Sequence, residues 1–61
     1  MLMNIKIDYM GVSVVIDTNN ETINIIENNI NSKKLFNMVF KAILKSINID
    51  TNSYKIVRND I

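Results

Sequence analysis

The feature that most constrains the fold is a pair of alternating segments on either side of Met10-Gly11. Apolar and polar residues largely alternate in both segments, and Gly11 can supply the positive φ of a two-residue turn. Residues directly opposite each other in an antiparallel pair point to the same face. With a turn at Met10-Gly11, every opposed pair on one face is apolar, namely Tyr9 with Val12, Ile7 with Val14 and Ile5 with Ile16. Because pattern and turn agree, the sequence predicts a β-hairpin.

Residues 22–30 fit two conformations. A turn at the preceding Asn-Asn pair would bring Ile23 opposite Ile16 and extend the apolar face to a third strand. The alternative is a helix, because Thr18 and Glu21 match a capping box and isoleucines recur at helical spacing. The segment consists mainly of Ile, Asn and Thr, which are mediocre helix formers, and this favours the strand.

An amphipathic helix is predicted over residues 33–47, with Asn31 or Ser32 as its N-cap. Its apolar positions recur at helical spacing and are Leu35, Phe36, Val39, Phe40, Ile43, Leu44 and Ile47, with Met38 and Ala42 at the margin. A turn-rich stretch follows it. Residues 53–58 then alternate as a last strand, with Tyr54 and Ile56 towards the core and Lys55 and Val57 outwards.

These segments predict one α+β domain spanning residues 1–61, in the order β-β-β-α-β. A three-stranded antiparallel meander carries the helix on one face, and the C-terminal strand returns parallel to the first or the third strand. The alternative fold is a β-hairpin followed by two helices and a short strand. A chain of 61 residues buries only about 60% of its unfolded surface, so self-association is one route to additional stability.

The composition excludes several kinds of chemistry. Cys and His are absent, which removes disulfides, thiolate and imidazole ligands and the usual nucleophile–base pairs. The single Gly cannot build a glycine-rich phosphate loop. Asp8 and Asp17 fall at opposite ends of the solvent face of the hairpin, too far apart to act as an acid–base pair. We therefore expect no catalytic residues, no metal site, no cofactor and no small-molecule substrate, and hence a protein that is not an enzyme.

The remaining composition bears on origin and location. The chain lacks an apolar run long enough for a membrane span, and its first residues lack the pattern of a signal peptide, so we expect a cytoplasmic protein. The bias towards Ile, Asn and Lys indicates an AT-rich coding sequence. Such a bias is typical of low-GC bacteria and of their phages and mobile elements.

Charge is distributed unevenly along the chain. Residues 32–61 carry six of the seven basic residues and two of the six acidic ones. A stripe on the predicted exposed helix face consists of Lys34, Asn37, Lys41 and Lys45. Such a stripe could follow the phosphates of a nucleic acid, although a solvated surface is the simpler interpretation. Nucleic-acid binding is therefore the alternative functional hypothesis.

The outer face of the predicted sheet carries apolar residues where polar ones would be expected. Val15 and Ile26 are near-diagonal neighbours there, and Val57 joins them if the last strand is adjacent. We interpret these three residues as a protein interface, which includes the interface of a homodimer. The leading hypothesis is a small non-enzymatic protein-binding module, such as a phage or mobile-element accessory or inhibitor protein that docks on a partner or self-associates.

Overall fold

A computed structural model describes residues 4–59 as one four-stranded sheet with one helix. The elements are β1 (Asn4–Tyr9), β2 (Val12–Asp17), β3 (Thr22–Asn28), α1 (Lys33–Ser46) and β4 (Lys55–Arg58). The strands lie in the order β1-β2-β3-β4, with the first three antiparallel and β4 parallel to β3. The predicted α+β order β-β-β-α-β is confirmed, and the sheet as a whole is mixed. The alternative with two helices is wrong, because residues 22–28 form a strand.

The first hairpin has the predicted register, with Ile7 opposite Val14. Met10 and Gly11 form its turn and both have positive φ, 51° and 85°. Two consecutive positive φ values are the signature of a type I′ turn, whose twist matches that of the flanking strands. An added Cβ at Gly11 would also make a tight contact of 3.3 Å with Cβ of Asn29, which would have to shift to accommodate it. The amide of Asn29 donates to the carbonyl of Gly11 over 2.9 Å, which ties this turn to the end of β3.

The second hairpin also has the predicted pairing, with Ile16 opposite Ile23. Its connection comprises the four residues 18–21 rather than two, because β2 ends one residue earlier and β3 begins one residue later than a two-residue turn requires. A register shift between Ser13 and Val14 places Ser13 opposite Glu27, and Ile26 has no residue opposite it. An extra residue of this kind is a β-bulge, which alternation of apolar residues does not reveal.

The helix begins and ends close to the predicted limits. Ser32 is the N-cap, and its Oγ accepts a hydrogen bond of 3.2 Å from the amide of Leu35. Asn48, with φ 58°, adopts the left-handed conformation that commonly follows the last turn of a helix. The helix packs on one face of the sheet and forms a core of Val12, Val14, Ile16, Ile23, Ile25, Phe36, Val39, Phe40 and Ile43.

Strand β4 lies beside β3, which decides the edge that the sequence left open. The amide of Lys55 donates to the carbonyl of Glu21 at 2.9 Å, and that of Asn59 donates to the carbonyl of Ile25 at 2.8 Å. Ile56 is opposite the buried Ile23 but remains 52% exposed. The expectation that Ile56 belongs to the core is therefore wrong, because α1 packs mainly over β1 and β2 and leaves half of this side chain uncovered.

Candidate protein-binding groove

The predicted outer-face interface is not a continuous apolar row. Val15 and Val57 are half-buried, and Asn24 lies between them, opposite both. The side-chain oxygen of Asn24 accepts a hydrogen bond from the side-chain amide of Asn59 at 3.4 Å. Its side-chain nitrogen donates to the hydroxyl of Thr22, also at 3.4 Å. Ile26 is exposed at the bulge. The valines are thus separated by a hydrogen-bonded polar side chain, which weakens the case for this surface.

The predicted basic stripe lies on the solvent side of α1. Lys34, Asn37, Lys41 and Lys45 are all exposed, and their spacing of three or four residues places them along one face of the helix. Helix α1 contains no acidic residue, so nothing on the helix itself neutralises this stripe.

A different surface brings large apolar side chains together in solvent. Two adjoining grooves, of 320 and 270 Å³, run between α1 and the end of β1. Both are lined by Tyr9 and Ala42, and the second also by Met10, Leu35 and Met38. We call these five residues the flank surface: Tyr9, Met10, Leu35, Met38 and Ala42. All five are exposed, Met38 by 62% and Met10 by 61%.

Tyr9 belongs to the apolar face of the hairpin, which predicts a place for it in the core. Tyr9 lies on the helix side of the sheet, as predicted, but about half of its surface is open to solvent rather than buried in the core. Ser46 and Ile43 extend the first groove along the helix, beside Ile7. The first groove therefore extends from the flank surface along β1 to the middle of the strand.

The conformation of Met10 distinguishes it from the other residues of the flank surface. The first central position of a type I′ turn favours Asn, Asp or Gly, because a positive φ costs other residues about 1–2 kcal/mol. The chain is rich in Asn and nevertheless has Met at this position. A locally unfavourable residue that exposes an apolar side chain is a reason to propose a function for the surface that it lines.

Strand β1 adds a backbone element to this surface. Among the described residues it pairs with β2 on one side and with no strand on the other. An edge strand of this kind presents backbone N–H and C=O groups that can pair with another chain. The open edge and the flank surface lie on the same side of the molecule, since Ile7, Asp8 and Tyr9 of β1 line the groove.

A wider depression of 430 Å³ lies beside the loop that follows α1. Its lining is mostly polar, and consists of Leu44, Lys45, Asn48, Ile49, Asp50, Thr51 and Asn52. An apolar side chain would bury less apolar surface there than in the grooves beside β1, so we place the candidate site at the flank surface.

Two carboxylates of the hairpins accept hydrogen bonds from neighbouring residues. Asp8 accepts a hydrogen bond from Ser13 Oγ across the hairpin. Asp17 accepts from the amide of Asn19 at 2.9 Å and from the side-chain amide of Asn20 at 2.8 Å. The hydrogen bonds from Asn20, followed by that from the Asn19 amide, hold the pKa of Asp17 below its ordinary value of 3.8. Residues 4–59 contain no group of three acidic, His or Cys side chains placed to hold a metal ion.

The flank surface could have been found only in part from the sequence. Met38 and Ala42 mark the margin of the helical apolar face, and Met10 occupies a turn position that usually favours a polar residue or Gly. The marginal position of Met38 and Ala42 and the unusual turn residue Met10 can both be recognised in the sequence. The exposure of Tyr9 and Leu35 depends on where the helix lies over the sheet, which the pattern does not specify.

No protein-family model, curated protein or solved structure matches the chain. The 14 residues of α1 are too few to cross a bilayer, and residues 4–59 contain no other helix that could.

Proposed function

We propose that this protein is a non-enzymatic binding module that docks on a protein through the flank surface and the open edge of β1. The observation that carries the proposal is the grouping of five exposed apolar residues around one groove beside an edge strand. Covering apolar surface of this kind with a partner removes it from water, which lowers the free energy of the system.

The chemistry of the surface favours a protein partner. Its two methionines are unbranched and polarizable, so they can adapt to the shape of another side chain. Tyr9 offers a large ring that is rigid and carries a polar hydroxyl, a combination enriched at protein interfaces. The free edge of β1 offers backbone hydrogen bonds that an extended segment of a protein can complete. A small docking module of this type would act as an accessory or an inhibitor of its partner. The AT-rich composition fits an origin in a phage or mobile element.

The experiment is a capture assay with matched variants. The intact protein is immobilised, and the retained proteins are identified by mass spectrometry for wild type, Met38→Lys and Ile26→Lys. Both substitutions introduce one Lys at an exposed apolar residue, the first on the flank surface and the second at the bulge. We expect Met38→Lys to lose the proteins that wild type retains and Ile26→Lys to keep them. Equal retention by the two variants would contradict the proposal.

A second candidate function, nucleic-acid binding, is favoured by the start of α1. Lys33 and Lys34 occupy its first turn without an acidic neighbour in that turn. Cations are unfavourable there, because the helix dipole makes the N-terminal end positive. Residues that oppose local stability in this way can be retained for binding a polyanion.

The two functions give different results on an immobilised duplex. Nucleic-acid binding predicts retention at low salt that falls steeply as salt rises. The charge reversal of Lys34, Lys41 and Lys45 to Glu would abolish this retention, whereas Met38→Lys would leave it intact or increase it. Absence of retention of the wild-type protein at low salt eliminates the second candidate.

A further inference from the structure

We propose that the protein occupying the flank surface is a second copy of this chain, paired along β1 about a two-fold axis that passes beside Ile7. The inference rests on the docking function proposed above and names its partner. It follows from three features of β1: the direction of its free backbone groups, the order of its charges and the position of α1 over it.

The free backbone groups of β1 belong to its even-numbered residues. In a hairpin with a two-residue loop, the residues flanking the loop exchange backbone hydrogen bonds, and bonded and non-bonded pairs then alternate. Tyr9 flanks the loop here, so Tyr9, Ile7 and Ile5 bond to β2. Lys6 and Asp8 therefore direct their N–H and C=O groups towards the open edge.

The order of charges along β1 is self-complementary in one register. If the two-fold axis passes beside Ile7, Lys6 lies opposite Asp8 of the second copy, and Asp8 lies opposite its Lys6. These are the residues whose backbone groups point outwards, so each pair combines main-chain hydrogen bonds with opposite charges. On the helix face the same register places Ile7 opposite Ile7 of the second copy and Ile5 opposite its Tyr9. The half-exposed Tyr9 ring thereby gains an apolar neighbour.

Other registers and the other edge are less favourable. An axis beside Lys6 or beside Asp8 would place identical charges directly opposite each other, which destabilises a strand pair. A pairing that slips by one residue, with the axis between two neighbouring residues, would put the apolar face of one copy beside the polar face of the other. Strand β4, at the opposite edge, has four residues with two cations and no acidic residue. A short cationic edge of this kind resists pairing with its own copy.

The position of α1 fits the same dimer. Among the strands, α1 approaches β1 and β2 most closely. The two-fold axis of the dimer would lie midway between the two copies of β1, half a strand spacing from each. Because strands lie about 4.8 Å apart, a helix centred between β1 and β2 would lie about 5 Å from this axis. The two helices would then be about 10 Å apart, which is the upper end of the usual packing distance of about 8–10 Å. Leu35, Met38 and Ala42 would meet their counterparts across the axis.

Asp8 can join the charge pair while it keeps its hydrogen bond to β2. Its carboxylate accepts from Ser13 Oγ on the neighbouring strand, which restrains the side chain on the solvent face of the sheet. An ionised carboxylate can accept several hydrogen bonds, so the ammonium group of Lys6 from the second copy can bind the same group. The dimer is therefore a continuous sheet of eight strands with both helices on one face.

The test is a charge-swap series measured by sedimentation velocity at concentrations up to about 1 mM. We expect the wild-type protein to convert from monomer to dimer as concentration rises. Lys6→Asp sets two carboxylates opposite each other in both pairs, and Asp8→Lys sets two ammonium groups opposite each other. Each change should raise the dissociation constant about tenfold or more, because both pairs become repulsive.

Two rescues make the register specific. The double variant Lys6→Asp/Asp8→Lys restores opposite charges in both pairs and should dimerise like wild type. An equimolar mixture of the two single variants should form heterodimers, since both of its cross-strand pairs are again complementary. Lys55→Asp at the other edge is the matched control and should leave the dissociation constant unchanged. Circular dichroism of each variant establishes that it is folded.

The outcomes separate this inference from the docking function. A wild-type protein that stays monomeric throughout overturns the dimer, as does a dimer that both single variants leave intact or that neither rescue restores. The docking function would survive each of these results if Met38→Lys still lost a captured protein that Ile26→Lys retained. The reverse result is that Met38→Lys and Ile26→Lys retain the same captured proteins while the charge-swap series behaves as expected. In that case the dimer stands and docking on a different protein fails.

Discussion

The guanidinium carbon of Arg58 lies over the ring of Phe36, 5.0 Å from its centroid, and joins the last strand to the first turns of the helix. Phe36 also stacks on Phe40, with centroids 5.7 Å apart. A cation over an aromatic ring contributes about 0.5–1 kcal/mol at an exposed site. We therefore predict that Arg58→Gln lowers the free energy of unfolding by about 0.5–1 kcal/mol, measured by urea denaturation.

Lys55→Gln is the control for this prediction. Lys55 lies on the same strand but opposite Thr22, on the face away from the helix. Its replacement should change the free energy of unfolding by less than about 0.5 kcal/mol. Equal losses in the two variants would show that Arg58 contributes to stability by some means other than its position over Phe36.

The adjacent residues Ile25 and Ile26 give a second prediction, since one is 1% exposed and the other 39%. Ile25→Val removes a methyl group from the packed core and should lower the free energy of unfolding by about 0.5–1.5 kcal/mol. Ile26→Val removes the same group at the bulge and should cost less than about 0.5 kcal/mol. Thermal or urea denaturation of the two proteins measures the difference directly. A larger loss at residue 26 would mean that the bulge lies elsewhere in the strand.

The strand register was predictable because two independent signals agreed. The Met10-Gly11 turn fixes which residues are opposed, and the alternation of apolar residues admits only that register without mixing the faces. Extension to Ile23 followed in the same way, and the helix limits followed from the capping residue Ser32 and the apolar spacing. Each of these properties is local in sequence.

The extent of the covering layer was not predictable from the same signals. Periodicity identifies the face on which Tyr9 and Ile56 lie, but a single helix of 14 residues cannot cover four strands equally. Both residues consequently remain about half exposed. The interface predicted from Val15, Ile26 and Val57 also depended on a regular ladder and a continuous apolar row, whereas the bulge interrupts the ladder at Ile26 and Asn24 separates the two valines. The flank surface emerges only when the helix is placed over β1.

The low pKa of Asp17 leads to a third prediction, on the pH dependence of stability. Its hydrogen bonds from Asn20 and Asn19 favour the ionised carboxylate in the folded protein. A group whose pKa falls on folding stabilises the protein at pH values above its unfolded pKa, and that contribution is lost as pH falls through the folded pKa. Wild type should therefore be more stable than Asp17→Asn at pH 7, and the difference should shrink as pH falls below 3.8.

Nuclear magnetic resonance can test the Asp17 prediction without a variant. The carboxyl carbon resonance of Asp17 should titrate with a midpoint below 3.8 in the folded protein. A midpoint at or above this value would mean that the turn at residues 18–21 does not hold the carboxylate as described. A stability difference between wild type and Asp17→Asn that stays constant down to acidic pH would lead to the same conclusion.

Met10 provides the last prediction, in which stability and binding change in opposite directions. Its φ of 51° at the first central position of a type I′ turn is unfavourable for Met and well suited to Asn. Met10→Asn should therefore raise the free energy of unfolding by about 0.5–1 kcal/mol, measured by urea denaturation. The same substitution removes an apolar side chain that is 61% exposed and lines the groove beside Met38.

If the flank surface docks on a protein, Met10→Asn should bind that protein more weakly although it is the more stable variant. The reason is that the side chain contributes nothing to the core of the free molecule, whereas burial against a partner would remove its apolar surface from water. Gly11→Ala, which places a side chain at φ 85° close to Asn29, is the contrasting change and should destabilise the hairpin. A Met10→Asn protein that is more stable and binds as tightly as wild type would imply that Met10 lies outside the contact surface.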